Sequence, residues 1–293
     1  MHKVLLVLFL LLQSPLFLFA QVAGIGVSRG DVGQRKEIAK AQNWGIAYYN
    51  VDKLYDTIPS RFYDDRDYTP QGKLRWNSER YNQKIRNIAQ LLDSMQMPLV
   101  MLYGVENEQV VRDIVQTSKS DYAYIHRTMD YTEGQDFALL YYGERFFPER
   151  VTTWNRAMCV EGFVGEERIA IIGNNRSTSI GVLLNELLKG GEDTKIVLLG
   201  TPNKPNFEKF GLSDHLLSYE RSGQGNRVLR GRWEMSDKIY SNFGESTHCG
   251  VYIKRWLLSD EAEPKATFKG ATYYGGYSNC LPVYIYFGNL FAH

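Results

Sequence analysis

Cysteine is scarce: there are three in 293 residues, Cys159, Cys249 and Cys280. Their wide spacing does not form a zinc-binding pattern. In an exported chain an odd count allows at most one internal disulfide and leaves one thiol over, with the pairing open. Net charge is lacking as well, at 34 basic against 33 acidic residues. That balance excludes a general electrostatic attraction to nucleic acid and leaves only local basic groups, such as Arg221, Arg227, Arg230 and Arg232. After the first twenty residues no stretch is long and apolar enough to span a bilayer. Residues 44–287 contain no repeat, low-complexity tract or interdomain linker.

What is present is a globular composition, with 44% hydrophobic and 13% aromatic residues, including 20 tyrosines. This suits a sizeable core and strands that carry an apolar body with a polar tip. The first twenty residues read as a secretory signal peptide: Lys3, a short apolar run from Val4 to Leu12, a break at Gln13, Ser14 and Pro15, and a small residue at Ala20. The competing reading is a membrane anchor, which the short, interrupted run disfavours. No Cys follows Ala20, which argues against a lipid anchor there. Removing Lys3 with the signal leaves 33 basic and 33 acidic residues. The expected location is secreted or periplasmic. Residues 21–43 read as a polar, poorly packed lead-in, and 44–293 as a single domain.

Along that domain, Trp44 to Asn50 alternates as a strand does. Ser78 to about Ser94 is expected to be a helix, with Ile85, Ile88, Ala89 and Leu92 on one face. Pro98 to Tyr103, Asp121 to His126, Arg168 to Asn174 and Lys195 to Gly200 are further strand candidates. A short helix over 180–190 is expected to end at Gly190-Gly191. Periodicity alone gives an α/β protein.

Several stretches in collinear order carry a resemblance. Near the C-terminus, Tyr273-Tyr-Gly-Gly-Tyr-Ser-Asn-Cys-Leu-Pro-Val283 resembles the closing motif of the endonuclease/exonuclease/phosphatase family, Gly-Tyr-Ser-Asp-His-Leu-Pro-Val. Asn50-Val-Asp-Lys-Leu-Tyr-Asp56 resembles its first motif. Asp67 to Tyr81 matches a run found in its bacterial secreted branch. Gly104-Val-Glu106-Asn107 stands where the family has Glu-Val-Glu-Asn. Glu133-Gly-Gln-Asp136 stands for Arg-Gly-Ile-Asp, a charge reversal at Glu133. Gly200-Thr201-Pro202-Asn203 stands for Gly-Asp-Phe-Asn, and Gly231 to Ile239 keeps an Asp as Asp237. The resemblance implies a four-layer α/β/β/α sandwich of two mixed sheets packed face to face. It also implies metal-dependent phosphodiester chemistry, with Mg²⁺ held by carboxylates.

The resemblance carries over a site that has changed. Asn50, Asp52, Asn203 and Asp237 are retained as a vestigial catalytic set. Gly104 replaces a metal-binding Glu, and Asn175 a phosphoryl-stabilising His. Thr201 replaces the nucleophile-orienting Asp, while Asn279 and Cys280 replace the Asp–His pair. For Asn50 and Asp52 the local alternative is a strand end closed by a turn. For Glu106 it is a favourable acid opening a helix from 106 to 116, and Asp52 and Glu106 are only weak metal candidates. His126 reads as structural, and Cys280 as a packed thiol rather than a nucleophile. The expectation is a chain that has lost catalysis and binds a ligand or protein partner, with no cofactor. The alternative is an active Mg²⁺-dependent nuclease or phosphatase with a rebuilt site.

Overall fold

The computed structural model describes residues 25–26, 44–130, 132–189, 194–203, 206–243 and 246–287. The expected signal segment, most of 21–43 and Gly190-Gly191 lie outside the described residues. Two residues of the expected lead-in, Ile25–Gly26 (β1), add a short strand to a sheet edge.

The chain then runs through β2 (Trp44–Leu54), α1 (Ser78–Met95), β3 (Leu99–Val105), α2 (Glu108–Thr117), β4 (Ala123–Arg127) and β5 (Asp136–Tyr141). A hairpin follows, β6 (Phe147–Trp154) and β7 (Ala157–Val164), then β8 (Glu167–Asn175), α3 (Ile180–Lys189) and β9 (Lys195–Thr201). The last third contains β10 (Ser213–Asp214), α4 (Leu217–Arg221), β11 (Arg227–Leu229), β12 (Arg232–Glu234), β13 (Lys238–Ser241) and β14 (Ser246–Val251). It closes with β15 (Phe268–Lys269), β16 (Thr272–Tyr273) and β17 (Val283–Phe287). The β6–β7 hairpin and β14 were not anticipated. β6 is a largely exposed edge strand without a clear apolar alternation, so its pattern carries no strand signal.

Two mixed sheets result, ordered β1-β4-β5-β3-β2-β17-β14 and β10-β13-β9-β8-β7-β6. Each contains one parallel pair, β2–β3 and β8–β9. Alternation along the strands builds the layers, because successive side chains point to opposite faces. Ile46 and Tyr48 of β2 meet Ile171, Val197 and Leu199 of the second sheet in the central core. Ala47 and Tyr49 face the other way, onto Ile85, Ile88 and Leu92 of α1 and Val110 and Ile114 of α2. Ala170, Ile172, Ile196 and Leu198 take Leu183, Leu184 and Leu187 of α3 on the far side. The four-layer α/β/β/α sandwich is therefore the observed fold.

Helix α1 starts where Asn77 accepts from Arg80 N, an N-cap, and it ends at Gln96 in the left-handed region. A buried flank of this helix holds the C-terminal motif and the segment before it. Asn87 Nδ2 donates to Gly275 O and Gly276 O at 3.0 and 2.9 Å, and buried Lys84 donates to Thr267 Oγ1. The three cysteines are free thiols, with Cys159 and Cys280 buried.

Gly200, one residue before the end of β9, lies at φ +116, where a Cβ would be 2.3 Å from Asn174 O. Both the conformation and the contact demand glycine. Gly200→Ala is expected to destabilise the fold by roughly 3 kcal/mol or more, read as a lowered denaturation midpoint. A midpoint shift within the error of the parent would contradict this.

Candidate functional site

The two parallel pairs bring the carboxyl ends of β2, β3, β8 and β9 to one edge of the sandwich. Register decides which side chains meet there. Asn50 pairs with Tyr103 and Asn175 pairs with Thr201. Lys238 pairs with Gly200, which sets the preceding Asp237 beside Thr201. Val283 pairs with Tyr48, so the 279–281 segment falls next to the end of β2. A cleft of about 240 Å³ opens among these strand ends, lined by Asn50, Asp52, Asn175, Thr201, Asp237, Asn279 and Cys280. Seven of the anticipated residues thus converge.

Gly104 borders this group. It is a bulge in β3, at φ +89, and a Cβ there would stand 3.6 Å from Asn50 Oδ1 and 3.3 Å from Lys53 N. Two anticipated residues do not join. Asn203 is exposed and donates to Arg176 O at 2.8 Å. Glu106 does not open the helix either. Asn107 is the cap, accepting from Val110 N, and α2 begins at Glu108. Glu106 is buried outside the cleft lining, where it accepts from Asp56 N at 2.5 Å and Tyr63 Oη at 2.8 Å. A side chain two residues beyond a bulge cannot substitute for the one removed at the bulge.

Asp237 is the most constrained group in the cleft. It is 1% exposed and accepts from Thr201 Oγ1 at 2.9 Å and Asn226 Nδ2 at 2.6 Å. Burial pushes its carboxyl up, and the two donors pull it back only in part. Asn226 is itself fully buried. It also donates to Leu281 O, and its Oδ1 accepts from the Ser236 and Asp237 N–H groups. Thr201 therefore supplies a donor where the resemblance places a carboxylate. A second carboxylate at that distance would repel Asp237, and the two could not both ionise.

The remaining positions are equally occupied. Asn50 Oδ1 accepts from Asp52 N at 3.0 Å, an Asx turn that holds Asp52 and Lys53 at φ +57 and +55. Ser278 Oγ donates to Asn50 O at 2.7 Å and accepts from Cys280 N. Cys280 Sγ donates to Asn279 Oδ1 at 3.2 Å, and burial holds its thiol well above the ordinary range. That thiol is a packed, protonated group. Asn175 Nδ2 donates to Tyr103 Oη and ties the two sheets together at the cleft.

Mg²⁺ requires a near-octahedral shell of oxygens with carboxylate support. Among the described residues no three His, Cys, Asp or Glu side chains converge on one point. Both oxygens of Asp237 are engaged, Glu106 lies elsewhere, and Gly104 offers nothing. The residues present do not fit the ion.

Two further motif residues sit outside the cleft. Asp136 is fully buried, accepts from Thr132 Oγ1 and Met129 N, and stands 3.7 Å from His126 Nε2. Burial raises this carboxyl to about 7 and lowers the imidazole to about 4. The pair is an interior feature of the β4–β5 ladder. Glu133 lines a separate open concavity of about 600 Å³ with Lys53, Asp64 and Asp67. Sequence reasoning missed Tyr103, Gln135, Arg176 and Ser236 as cleft residues, and it named Arg227 only as part of a basic group. Asn226, the hub behind Asp237, stands in a loop with no motif to mark it.

The profile of the Endonuclease/Exonuclease/phosphatase family matches residues 45–195. Among solved structures, a humanized D. rerio TDP2 is 10% identical and covers 85% of this chain and 100% of its own, with a TM-score of 0.57. An endonuclease/exonuclease/phosphatase family protein from Bacteroides thetaiotaomicron is 13% identical, covering 83% of this chain and 97% of its own, with a TM-score of 0.53. A mannosyl-6-phosphatase from the same organism is also 13% identical, covering 83% and 98%, with a TM-score of 0.52. No curated protein matches the chain.

Glu106 supplies a pH test of this geometry. Burial raises its carboxyl from 4.5 to about 7. A raised acid holds its proton more tightly in the folded state, so its stabilising contribution is complete below about pH 4.5 and is lost as pH rises through about 7. Glu106→Gln cannot ionise and keeps an acceptor for Asp56 N–H. It is expected to match the parent near pH 4.5 and to exceed it near pH 8 by on the order of 2 kcal/mol, measured by urea denaturation. A difference independent of pH would refute the assignment.

Proposed function

The chain belongs to the endonuclease/exonuclease/phosphatase family, and on that premise we propose that it is a member that has lost metal-dependent hydrolysis and uses the former active cleft for binding. One observation carries this reading. The carboxylate that remains at the cleft floor, Asp237, accepts from Thr201 and Asn226 instead of facing an ion. Family chemistry needs a cation to neutralise phosphoryl charge and activate water. Here the metal-binding Glu position is Gly104, the nucleophile-orienting Asp position is Thr201, and the imidazole position is a protonated, buried thiol. The loss of one such group commonly costs ~10²–10⁴-fold, and no neighbouring group in the cleft replaces any of them.

The cleft nevertheless stays open, which supports a binding role rather than a filled relic. Export to the periplasm or the exterior is part of the proposal, supported by the short apolar run from Val4 to Leu12. The competing reading, a Mg²⁺-dependent nuclease or phosphatase with a rebuilt site, would have to work through Asp52.

Calorimetric titration and hydrolysis assays separate the two. The purified protein is expected to show no Mg²⁺ or Mn²⁺ binding below the millimolar range. It is also expected to release no product from single-stranded DNA or hexose phosphates beyond that of Asp52→Ala. Micromolar metal binding, or metal-dependent turnover that disappears in Asp52→Ala, would place the chain among the active enzymes.

A further inference from the structure

We propose that the cleft is a metal-independent clamp for a tetrahedral oxyanion, phosphate or sulfate, free or at the end of a monoester, held between Arg176 and Arg227. The inference rests on the non-hydrolytic reading above and names what that cleft binds. Both arginines line the cleft. They come from separate elements. Arg176 directly follows β8, with its backbone fixed at φ +54 by an N–H bond to Thr201 O at 2.8 Å. Its own carbonyl accepts from Asn203. Arg227 opens β11 and forms a bridge with Cys280, so it belongs to the wall made by the C-terminal motif.

Neither guanidinium is already committed to an acid among the described ion pairs, although carboxylates lie nearby. Asp237 is held by Thr201 and Asn226. Arg227 still acts on that floor at a distance, pulling the pKa of Asp237 and of Cys280 down against the burial that raises both. Two further lining groups carry neutral donors, the side-chain amides of Gln135 and Asn279. A planar guanidinium presents paired N–H donors that match two oxygens of a phosphate or sulfate group, and two guanidinium groups supply the charge a cation would otherwise supply.

The single free carboxylate of the lining, Asp52, limits the clamp to one anionic group. A polyanionic chain running past Asp52 would meet like charge, whereas an ester alcohol could donate a hydrogen bond to it. The preferred ligand class is therefore a small monoester or the inorganic ion, not a phosphodiester polymer.

Differential scanning fluorimetry of the full chain in excess EDTA tests this, with inorganic phosphate, inorganic sulfate and sodium chloride at matched ionic strength. A saturable rise in melting temperature with phosphate or sulfate, absent with chloride, is expected, since a ligand of the native state stabilises in proportion to its occupancy. Sulfate acting like phosphate identifies charge and shape as the recognised feature. Phosphate acting alone identifies the source as a phosphate group. Arg176→Gln and Arg227→Gln should each weaken the apparent affinity at least tenfold, with Arg→Lys recovering part of it. Arg232→Gln, on the same hairpin but outside the cleft, should leave it unchanged. No saturable shift, an equal effect of chloride, a requirement for Mg²⁺, or indifference to both arginine substitutions would overturn the clamp. A missing anion effect without hydrolysis defeats the clamp alone, while Mg²⁺-dependent hydrolysis defeats the reading beneath it.

Discussion

The hydrogen bonds from Thr201 and Asn226 to the buried carboxylate of Asp237 govern the rest of the site. A buried carboxylate without donors or a cation is costly. Family enzymes meet that cost with a metal. This chain meets it with two neutral side chains, and each then fixes its own surroundings. Thr201 sits at the end of β9 beyond a glycine that tolerates no side chain. Asn226 links the β12–β13 connection to Leu281 and so holds the C-terminal motif against the cleft. On the proposed reading, the cleft is a hydrogen-bonded unit in which these donors take the place of an ion.

The departure from the family pattern lies in the backbone as well as in the side chains. Gly104 is a bulge residue at φ +89, a conformation that L side chains rarely adopt. A glutamate there would strain the backbone and crowd Lys53 N. The Asx turn at Asn50, with Asp52 and Lys53 in the left-handed region, occupies the same side of β2. Strain of this kind persists where surrounding structure over-determines it. Here the Ser278 bond to Asn50 O and the Glu106 bond to Asp56 N hold the two flanks of the turn.

The layered fold was legible because its strands alternate in a simple way: Ile46 and Tyr48 inward, Ala47 and Tyr49 outward. α1 was legible through its apolar stripe. β6 was not, because an exposed edge strand has no buried face to impose a pattern. In the site, the strand-end motifs identified seven lining residues, since ladder register carries them to one edge. Glu106 was misplaced because the cap falls one residue later, at Asn107, and the partners that hold Glu106, Asp56 N and Tyr63, are distant in sequence. Asn226 and Arg176 were invisible because their places arise from tertiary contact, one bonded to Asp237 and the other in the lining of the cleft.

The state of Asp237 tests the account most directly. Carboxyl-carbon NMR of the labelled protein, titrated with acid and with Mg²⁺, reports on that one group. The account predicts an Asp237 resonance that titrates above the ordinary aspartate range, because burial outweighs its two donors, and that does not move with millimolar Mg²⁺. An Asp237 that titrates below that range, or whose resonance shifts on Mg²⁺ addition together with that of Asp52, would contradict it.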